Sequence, residues 1–192
     1  MKPRRILLIT SNPGKAAEFS ALLPGLELGH AALDLIEIQS LSAREIGRHK
    51  ALEALGQLKP DLARRFDAVL TDDTSLAFNT FGGFPGPLVK YCLDALGPAG
   101  LADLVAERED RSAQALCQLS LAVIATGEVF SFEGVVAGKI GAPQGSEGFG
   151  WDPIFFPEEA AGKSYAQLSA DEKNQISHRR RAVEALREWL GR

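Results

Sequence analysis

The sequence contains little cysteine, few aromatic residues and no excess of positive charge. Its 192 residues include two cysteines, and aromatic residues make up 7% of the chain. Two cysteines cannot form a disulfide framework, and no pair has the Cys-x-x-Cys spacing of a zinc knuckle. Cys92 and Cys117 both lie in apolar runs. We therefore expect buried, reduced thiols and a cytoplasmic location.

Long apolar runs are also absent. No stretch approaches the ~18–20 apolar residues that cross a bilayer, so we predict no membrane contact. The basic start is followed by an apolar run, Ile6 to Ile9, that is too short for a signal peptide. The net charge of −4 provides no excess of cations for phosphate backbones, which argues against nucleic acid as a partner. With 45% hydrophobic and 24% charged residues, the composition is that of a globular protein.

The apolar patterns predict an α/β protein with a mixed sheet. A buried strand over 5–10 is followed by a short loop and a helix that Asn12 caps. A second helix begins with a capping box of Ser42 and Glu45, and Lys50 interrupts its apolar row. An ammonium in that position needs a partner or must reach solvent. Later segments indicate a strand over 68–71, a helix from Val89, a β-hairpin within 112–140, and one long helix that a second capping box opens at Ser169.

The first candidate site is the loop between the first strand and the first helix. Small residues and free amides at a helix start can bind an anion, and a lysine adds a full charge. The segment is not a Walker P-loop, because Ile9 replaces its first glycine and Ala16 its serine or threonine. An ordinary turn with a surface lysine remains the alternative. The candidate substrate-binding residues of this loop are Thr10, Ser11, Asn12, Pro13, Gly14 and Lys15.

The second candidate site is the acidic pair Asp72 and Asp73, which we place at the end of the apolar strand. Adjacent carboxylates repel each other unless a cation compensates, and oxygen ligands of this kind suit Mg²⁺. Ligands in α/β sheets commonly bind where strands end. The alternative is a solvated acidic turn.

Two further sets of residues could bind a planar base. Aromatic and acidic side chains lie on a glycine-rich loop, and cationic groups occupy the start of the last helix. The alternatives are a hydrophobic plug over a sheet edge and a solvated basic face. With the first two sites, these sets predict a nucleoside triphosphate site. Their members are Phe149, Gly150, Trp151, Asp152, Lys173, Ser177, His178 and Arg179.

Four segments, in this order, resemble the inosine/xanthosine triphosphate pyrophosphatases: ITSNPGKAAEF, VLTDDTSLAFNTFGGFPGPLVKYCL, GFGWDPIFF and SADEKNQISHRRRAVEAL. The resemblance covers nearly the whole chain. It implies a single elongated domain over 1–192, with a long central mixed sheet, flanking helices and a cleft between two lobes. It also implies a homodimer, dependence on Mg²⁺, and hydrolysis of ITP, dITP and XTP to the monophosphate and pyrophosphate.

The resemblance also implies roles for individual residues. Lys50 would join the phosphate ligands, Asp73 would be the general base beside the metal, and Thr74 would touch the nucleotide. Phe149 would stack on the base, and Lys173, His178 and Arg179 would recognise its edge. The metal ligands would be Glu37, Asp72 and Asp73. Glu45 also fits an acidic position of the family, but we prefer its role as the capping partner of Ser42.

Three other hypotheses remain open. One is a pool-cleaning pyrophosphatase that acts on other modified or pyrimidine nucleotides. Another is a nucleic-acid-binding module that uses Arg179, Arg180 and Arg181, which the net charge disfavours. The third is a catalytically inactive regulator, although every member of the predicted site is present apart from an acidic metal ligand whose identity, Glu37 or Glu45, the sequence leaves open.

Overall fold

A computed structural model describes residues 2–191 and contains seven strands and six helices in that range. The strands are β1 (Arg5–Ile9), β2 (Glu27–Ala31), β3 (Ala68–Phe78), β4 (Pro85–Gly86), β5 (Ser112–Val123), β6 (Val129–Ile140) and β7 (Phe155–Pro157). The helices are α1 (Pro13–Leu22), α2 (Ala43–Gly56), α3 (Pro60–Arg65), α4 (Val89–Asp103), α5 (Ala170–Ile176) and α6 (His178–Leu190). Short 3₁₀ turns connect several of them.

The strands form one mixed sheet in the order β2-β1-β3-β5-β6-β7, and β4 pairs with β3. The pairs β1·β2 and β1·β3 are parallel, whereas β3·β4 and β6·β7 are antiparallel. The predicted α/β class and mixed sheet are confirmed. The register places Ile9, the last residue of β1, beside Thr71 of β3. Asp72 and Asp73 therefore lie just beyond the carboxyl end of β1.

The chain divides into two compact units. The first comprises Met1–Asp73, Gln118–Glu133 and Ala182–Arg192, and the second comprises Thr74–Cys117 and Gly134–Arg181. β1 is buried on both faces, as its apolar run predicted, and packs in a core with Ala51 and Ala54 of α2. The core of the second unit includes Phe78, Trp151 and Phe155. Each unit thus buries an apolar cluster of its own.

The structure corrects two predicted boundaries. Asp72 and Asp73 lie within β3, which continues to Phe78 because β4 pairs with Leu76 and Ala77. The predicted single last helix is two helices, because Ser177 is extended (φ −71°, ψ 154°) and its Oγ accepts a hydrogen bond from Arg180 N at 3.1 Å. Ser177 thereby caps α6.

The cysteines and the capping boxes give mixed outcomes. Cys117 is buried as predicted, but Cys92 is only partly buried at the edge of the second core. The capping box of Ser169 and Glu172 is complete. At α2, Ser42 Oγ accepts from Glu45 N, but the Glu45 carboxylate accepts from Ser40 Oγ and not from the cap residue. No helix within residues 2–191 has the length and apolarity needed to cross a membrane.

Candidate active site

The loop before α1 has the geometry that the sequence predicted. Asn12 is extended and its Oδ1 accepts a hydrogen bond from Lys15 N at 3.1 Å, while Pro13 takes the first helical position. Thr10 Oγ1 accepts from Asn12 N at 3.1 Å, which fixes the turn. Ser11 and Pro13 are exposed, and Gly14 is partly exposed. The start of α1 is therefore accessible to an anion.

Lys15 contacts the acidic pair of β3. Its Nζ lies 3.0 Å from Asp72 Oδ2 and donates to the Asp72 backbone oxygen, also at 3.0 Å. The Asp72 carboxylate is buried, so the lysine compensates a charge that solvent cannot reach. The first two candidate sites are thus one cluster within the first unit.

Lys50 completes this cluster from α2. Its Nζ donates to Asp73 Oδ1 at 2.6 Å and to Glu37 Oε1 at 3.0 Å. The lysine that interrupts an apolar row therefore has carboxylate partners, which is one of the two outcomes that the sequence allowed. Glu37 lies in the irregular segment between β2 and α2, where its side chain remains about a third exposed.

Burial and the nearby lysines have opposing effects on the pKa of the Asp73 carboxyl group. Burial raises its pKa above the ordinary value, and the nearby ammonium groups of Lys50 and Lys15 partly oppose this. For Lys50, the lowering effect of burial is outweighed by Asp73 and Glu37, so the pKa of the ammonium is raised and its charge is secured. Asp73 is thus a carboxylate with raised basicity beside fixed positive charges.

The oxygen atoms of this cluster fit Mg²⁺ in part. Among residues 2–191, no three His, Cys, Asp or Glu side chains are gathered as a metal site by themselves. Asp73 Oδ2 is buried, however, and has no hydrogen-bond partner in the described chain. Mg²⁺ commonly takes one or two protein carboxylates and completes its shell with water and substrate phosphates. The predicted set of Glu37, Asp72 and Asp73 remains a prediction.

In the second unit, Asp152 organises the loop that carries Phe149. Its buried Oδ2 accepts from Phe149 N and from Lys173 Nζ, each at 2.8 Å. Gly148 has a φ of +77°, and a Cβ there would lie 2.1 Å from Asp152 Oδ2, so only glycine fits. The Lys173 ammonium lies 4.7 Å from the centre of the Phe149 ring. Asp152 thus fixes both a ring and a cation.

Aromatic and cationic groups pack around this loop. The Trp151 and His178 rings are 5.2 Å apart, and His178 stacks on Tyr165 at 5.8 Å. The Arg179 guanidinium lies 5.9 Å from the centre of the Phe149 ring, although its side chain is only 1% exposed. A buried arginine beside a partly exposed ring is suited to an acceptor-rich planar group. Gly150 is exposed with a φ of +64°.

Some residues that shape the cluster were not found from the sequence. Glu53 Oε2 of α2 accepts from Ile36 N at 2.8 Å, and Gln57 Nε2 donates to Asp34 O at 3.2 Å. These side chains hold the backbone just before Glu37. No motif marks them, since an acid and an amide on a helix surface are ordinary. Thr74, a predicted nucleotide contact, follows Asp73 in β3 and is half-buried.

Comparison with known proteins finds relatives that match nearly the whole chain. An inosine triphosphate pyrophosphatase of Tuber melanosporum is 40% identical over 98% of this chain and 97% of its own length, and inosine triphosphate pyrophosphatase 2 of Trypanosoma cruzi is 41% identical over 95% and 90%. A HAM1 protein structure from Coxiella burnetii matches with a TM-score of 0.81 and 28% identity, covering 97% of this chain and 98% of that one.

A nucleoside-triphosphatase (dITP/XTP pyrophosphatase) structure from Mycobacterium abscessus matches with a TM-score of 0.72 and 28% identity, over 95% of this chain and 98% of that one. The sequence model of the Ham1 family matches residues 6–189, which is nearly the whole chain. The four predicted segments all fall within that range. The chain therefore belongs to the Ham1 family.

Proposed function

We propose that this protein hydrolyses the non-canonical purine nucleotides ITP, dITP and XTP to the monophosphate and pyrophosphate, and so removes them from the nucleotide pool. The observation that carries the proposal is the cluster in which Lys15 meets Asp72 and Lys50 meets Asp73. Cations for a polyanion and a basic carboxylate are the groups that such a hydrolysis needs. The names of the Tuber melanosporum and Mycobacterium abscessus relatives support the substrate class.

The chemistry assigned to the first cluster is charge neutralisation followed by attack of water. A triphosphate carries about four negative charges, and Lys15, Lys50 and the amides at the start of α1 reduce the repulsion that a nucleophile meets. Asp73 accepts a proton from the attacking water. The water oxygen bonds to the α-phosphorus, the bond from that phosphorus to the bridging oxygen breaks, and pyrophosphate leaves with the electron pair.

Asp73, with Glu37 and Asp72, would hold a Mg²⁺ ion that adds charge stabilisation at phosphate oxygens. Lys50 Nζ contacts both Glu37 and Asp73, so these two carboxylates lie close to the same ammonium group in the first unit. The buried Asp73 Oδ2 without a hydrogen-bond partner in residues 2–191 supports its role as a ligand atom. Asp72 is held by Lys15.

Base recognition is assigned to the second cluster. Inosine and xanthosine present a keto oxygen at the 6-position, whereas adenine presents an amino group. Lys173, His178 and Arg179 carry donors that could each reach that oxygen, whereas the 6-amino group of adenine offers these donors no acceptor. Guanine shares the keto group, so its rejection must act at the 2-position.

Asp73→Asn tests the assignment of Asp73 as the general base. The amide keeps the shape of the side chain but cannot take the proton, so turnover of ITP should fall by about 10²- to 10⁴-fold while nucleotide binding survives. Release of pyrophosphate and calorimetric binding of ITP measure the two quantities. Asp67→Asn, which removes a carboxylate that binds Arg5, is the control and should turn over normally. Turnover of Asp73→Asn near that of the wild type would contradict the role.

Competition of ITP, XTP, GTP, ATP and a panel of modified pyrimidine triphosphates tests the substrate class. Preferred hydrolysis of ITP and XTP supports the proposal, and equal rates with ATP would remove the role of the donors. Preference for a pyrimidine would favour the rival pyrophosphatase. Salt-dependent binding of DNA without hydrolysis of any nucleotide would favour a nucleic-acid-binding module.

The proposed enzyme is a homodimer in the cytoplasm. Exposed apolar side chains on and before α4 support an interface in the second unit, namely Phe84, Tyr91 and Leu96. The low cysteine content supports a reducing compartment. Sedimentation of the wild type and of Tyr91→Glu tests the homodimer and its interface. The wild type should be a dimer and the variant a monomer, and a monomeric wild type would contradict the proposal.

A further inference from the structure

The contact between α2 and the sheet is unusually close at Gly47. Gly47 is buried within α2, and an added Cβ would lie 2.5 Å from Ser120 Oγ of β5 and 3.3 Å from Gln118 Cγ. The backbone of Gly47 is ordinary helix, where glycine is disfavoured relative to alanine. Space, and not conformation, therefore explains glycine at this position.

The same contact lies next to the proposed catalytic cluster. Thr71 Oγ1 of β3 is 3.5 Å from Gly47 O and 3.4 Å from Ser120 O. Lys50 follows Gly47 by about one helical turn, and Asp73 follows Thr71 by two residues on the same face of β3. The 2.6 Å contact between Lys50 Nζ and Asp73 Oδ1 is thus the next contact between α2 and β3 after the one at Gly47.

We infer that Gly47 is a positioning residue, which sets the distance of α2 from the sheet and so holds the Lys50 ammonium on Asp73. The inference rests on the proposed function only for its effect on turnover. Packed helix and sheet surfaces do not deform freely, so a methyl group at 47 must displace either α2 or Ser120. A displacement of about 1 Å at a reacting group can cost about 10²-fold in rate.

The test is a pair of substitutions across the contact. Gly47→Ala should lower kcat for ITP by about 10- to 100-fold with a smaller change in KM. Ser120→Ala removes the hydroxyl that the new methyl would strike, so the double variant should recover most of the lost kcat, and Ser120→Ala alone should turn over normally. Gly56→Ala is the matched control, because a Cβ there meets nothing within 4 Å in the same helix.

Crystal structures provide a readout independent of turnover. In Gly47→Ala, the Lys50 Nζ to Asp73 Oδ1 distance should exceed about 3.5 Å, beyond a hydrogen bond, and it should return to hydrogen-bonding range in the double variant. A normal kcat with an intact contact in Gly47→Ala would overturn the inference. If Gly47→Ala does not fold, a folded and active double variant supports the inference, and an unfolded one overturns it.

Failure of the two proposals would look different. A wild type that does not hydrolyse ITP contradicts the proposed function, and the distance in the crystal structures still tests the role of Gly47. A wild type that hydrolyses ITP, with Gly47→Ala equally active, contradicts only the positioning role.

Discussion

At the scale of single residues, the first unit depends on carboxylates that compensate nearby positive charge. Asp67, just before β3, accepts from the backbone N–H groups of Arg4 and Arg5, each at 2.9 Å, and from the Arg5 guanidinium at 2.6 Å. The guanidinium of Arg5 and those two N–H groups lower the pKa of Asp67 to about 2. One side chain thus joins the starts of β1 and β3.

Asp67 makes stability depend on pH in acid. Its folded pKa of about 2 lies below the ordinary value of 3.8, so its stabilising effect is complete above about pH 4 and is lost as the pH falls towards 2. At pH 7, Asp67→Asn should melt a few degrees below the wild type, and this difference should shrink between pH 4 and pH 2. Thermal melts across that range measure it. A constant difference at all pH values would show that the charge of Asp67 is not the cause.

At the scale of elements, α2 carries both Lys50, the proposed phosphate ligand, and the side chains that hold the segment before it. Glu53 accepts from Ile36 N at 2.8 Å and from Gln57 Nε2 at 3.1 Å, while Gln57 also donates to Asp34 O at 3.2 Å. This segment contains Glu37, which contacts Lys50. The position of Glu37 therefore depends on a helix that follows it in the chain.

Glu53→Ala should release the segment that carries Glu37. We expect kcat/KM for ITP to fall by about 10-fold, because a proposed ligand loses its fixed position. Glu53→Gln retains an acceptor oxygen and should recover most of the activity. A steady-state assay across a range of Mg²⁺ concentrations measures both variants. Equal activity of Glu53→Ala and the wild type at limiting Mg²⁺ would contradict the role of Glu37.

The sequence predicted those element boundaries that depend on interactions between residues close together in the chain. Asn12 and Pro13 marked the start of α1, because a cap and a missing amide hydrogen act within one turn. The length of β3 was missed, because its last residues pair with β4 at Leu76 and Ala77, and no local pattern shows a pairing between separate segments. The break at Ser177 was missed because the apolar spacing continues across it, while a serine hydroxyl caps the next helix.

In the candidate site too, local signals were predicted and contacts between distant segments were not. Lys50 was found because its charge contradicted an apolar row, and the structure supplies Asp73 and Glu37 as its partners. The contacts of Gly47 and Glu53 could not be predicted, because close packing and a hydrogen bond between distant segments leave no pattern in the sequence. Resemblance to a family identifies residues that touch substrate more readily than residues that hold them in place.

At the scale of the whole molecule, the two units carry different chemistry. Lysines and carboxylates lie together in the first unit, and a ring with buried donors lies in the second. The proposed function assigns phosphate chemistry to the first set and base recognition to the second. Substitutions in the first set should therefore lower kcat/KM for all nucleotides by a similar factor. The effect of substitutions in the second set on kcat/KM should differ between nucleotides with different bases.

This division predicts opposite patterns for Lys50→Met and Arg179→Met. Lys50→Met should lower kcat/KM for ITP and for ATP by a similar factor, because both carry the same triphosphate. Arg179→Met should lower kcat/KM for ITP much more than for ATP, reducing the discrimination between them by about 10²-fold, because it removes a buried donor that a keto oxygen accepts and an amino group does not. Parallel assays with both nucleotides measure the ratio.

The control for these variants is Arg180→Met, next to Arg179 but with its guanidinium directed at Asn174 O at 3.4 Å. It should leave the ratio of ITP to ATP hydrolysis unchanged even if stability falls, and thermal melts separate the two effects. A methionine at 179 that lowers both rates equally, with the fold intact, would mean that the buried guanidinium supports the structure of the second unit and does not select the base.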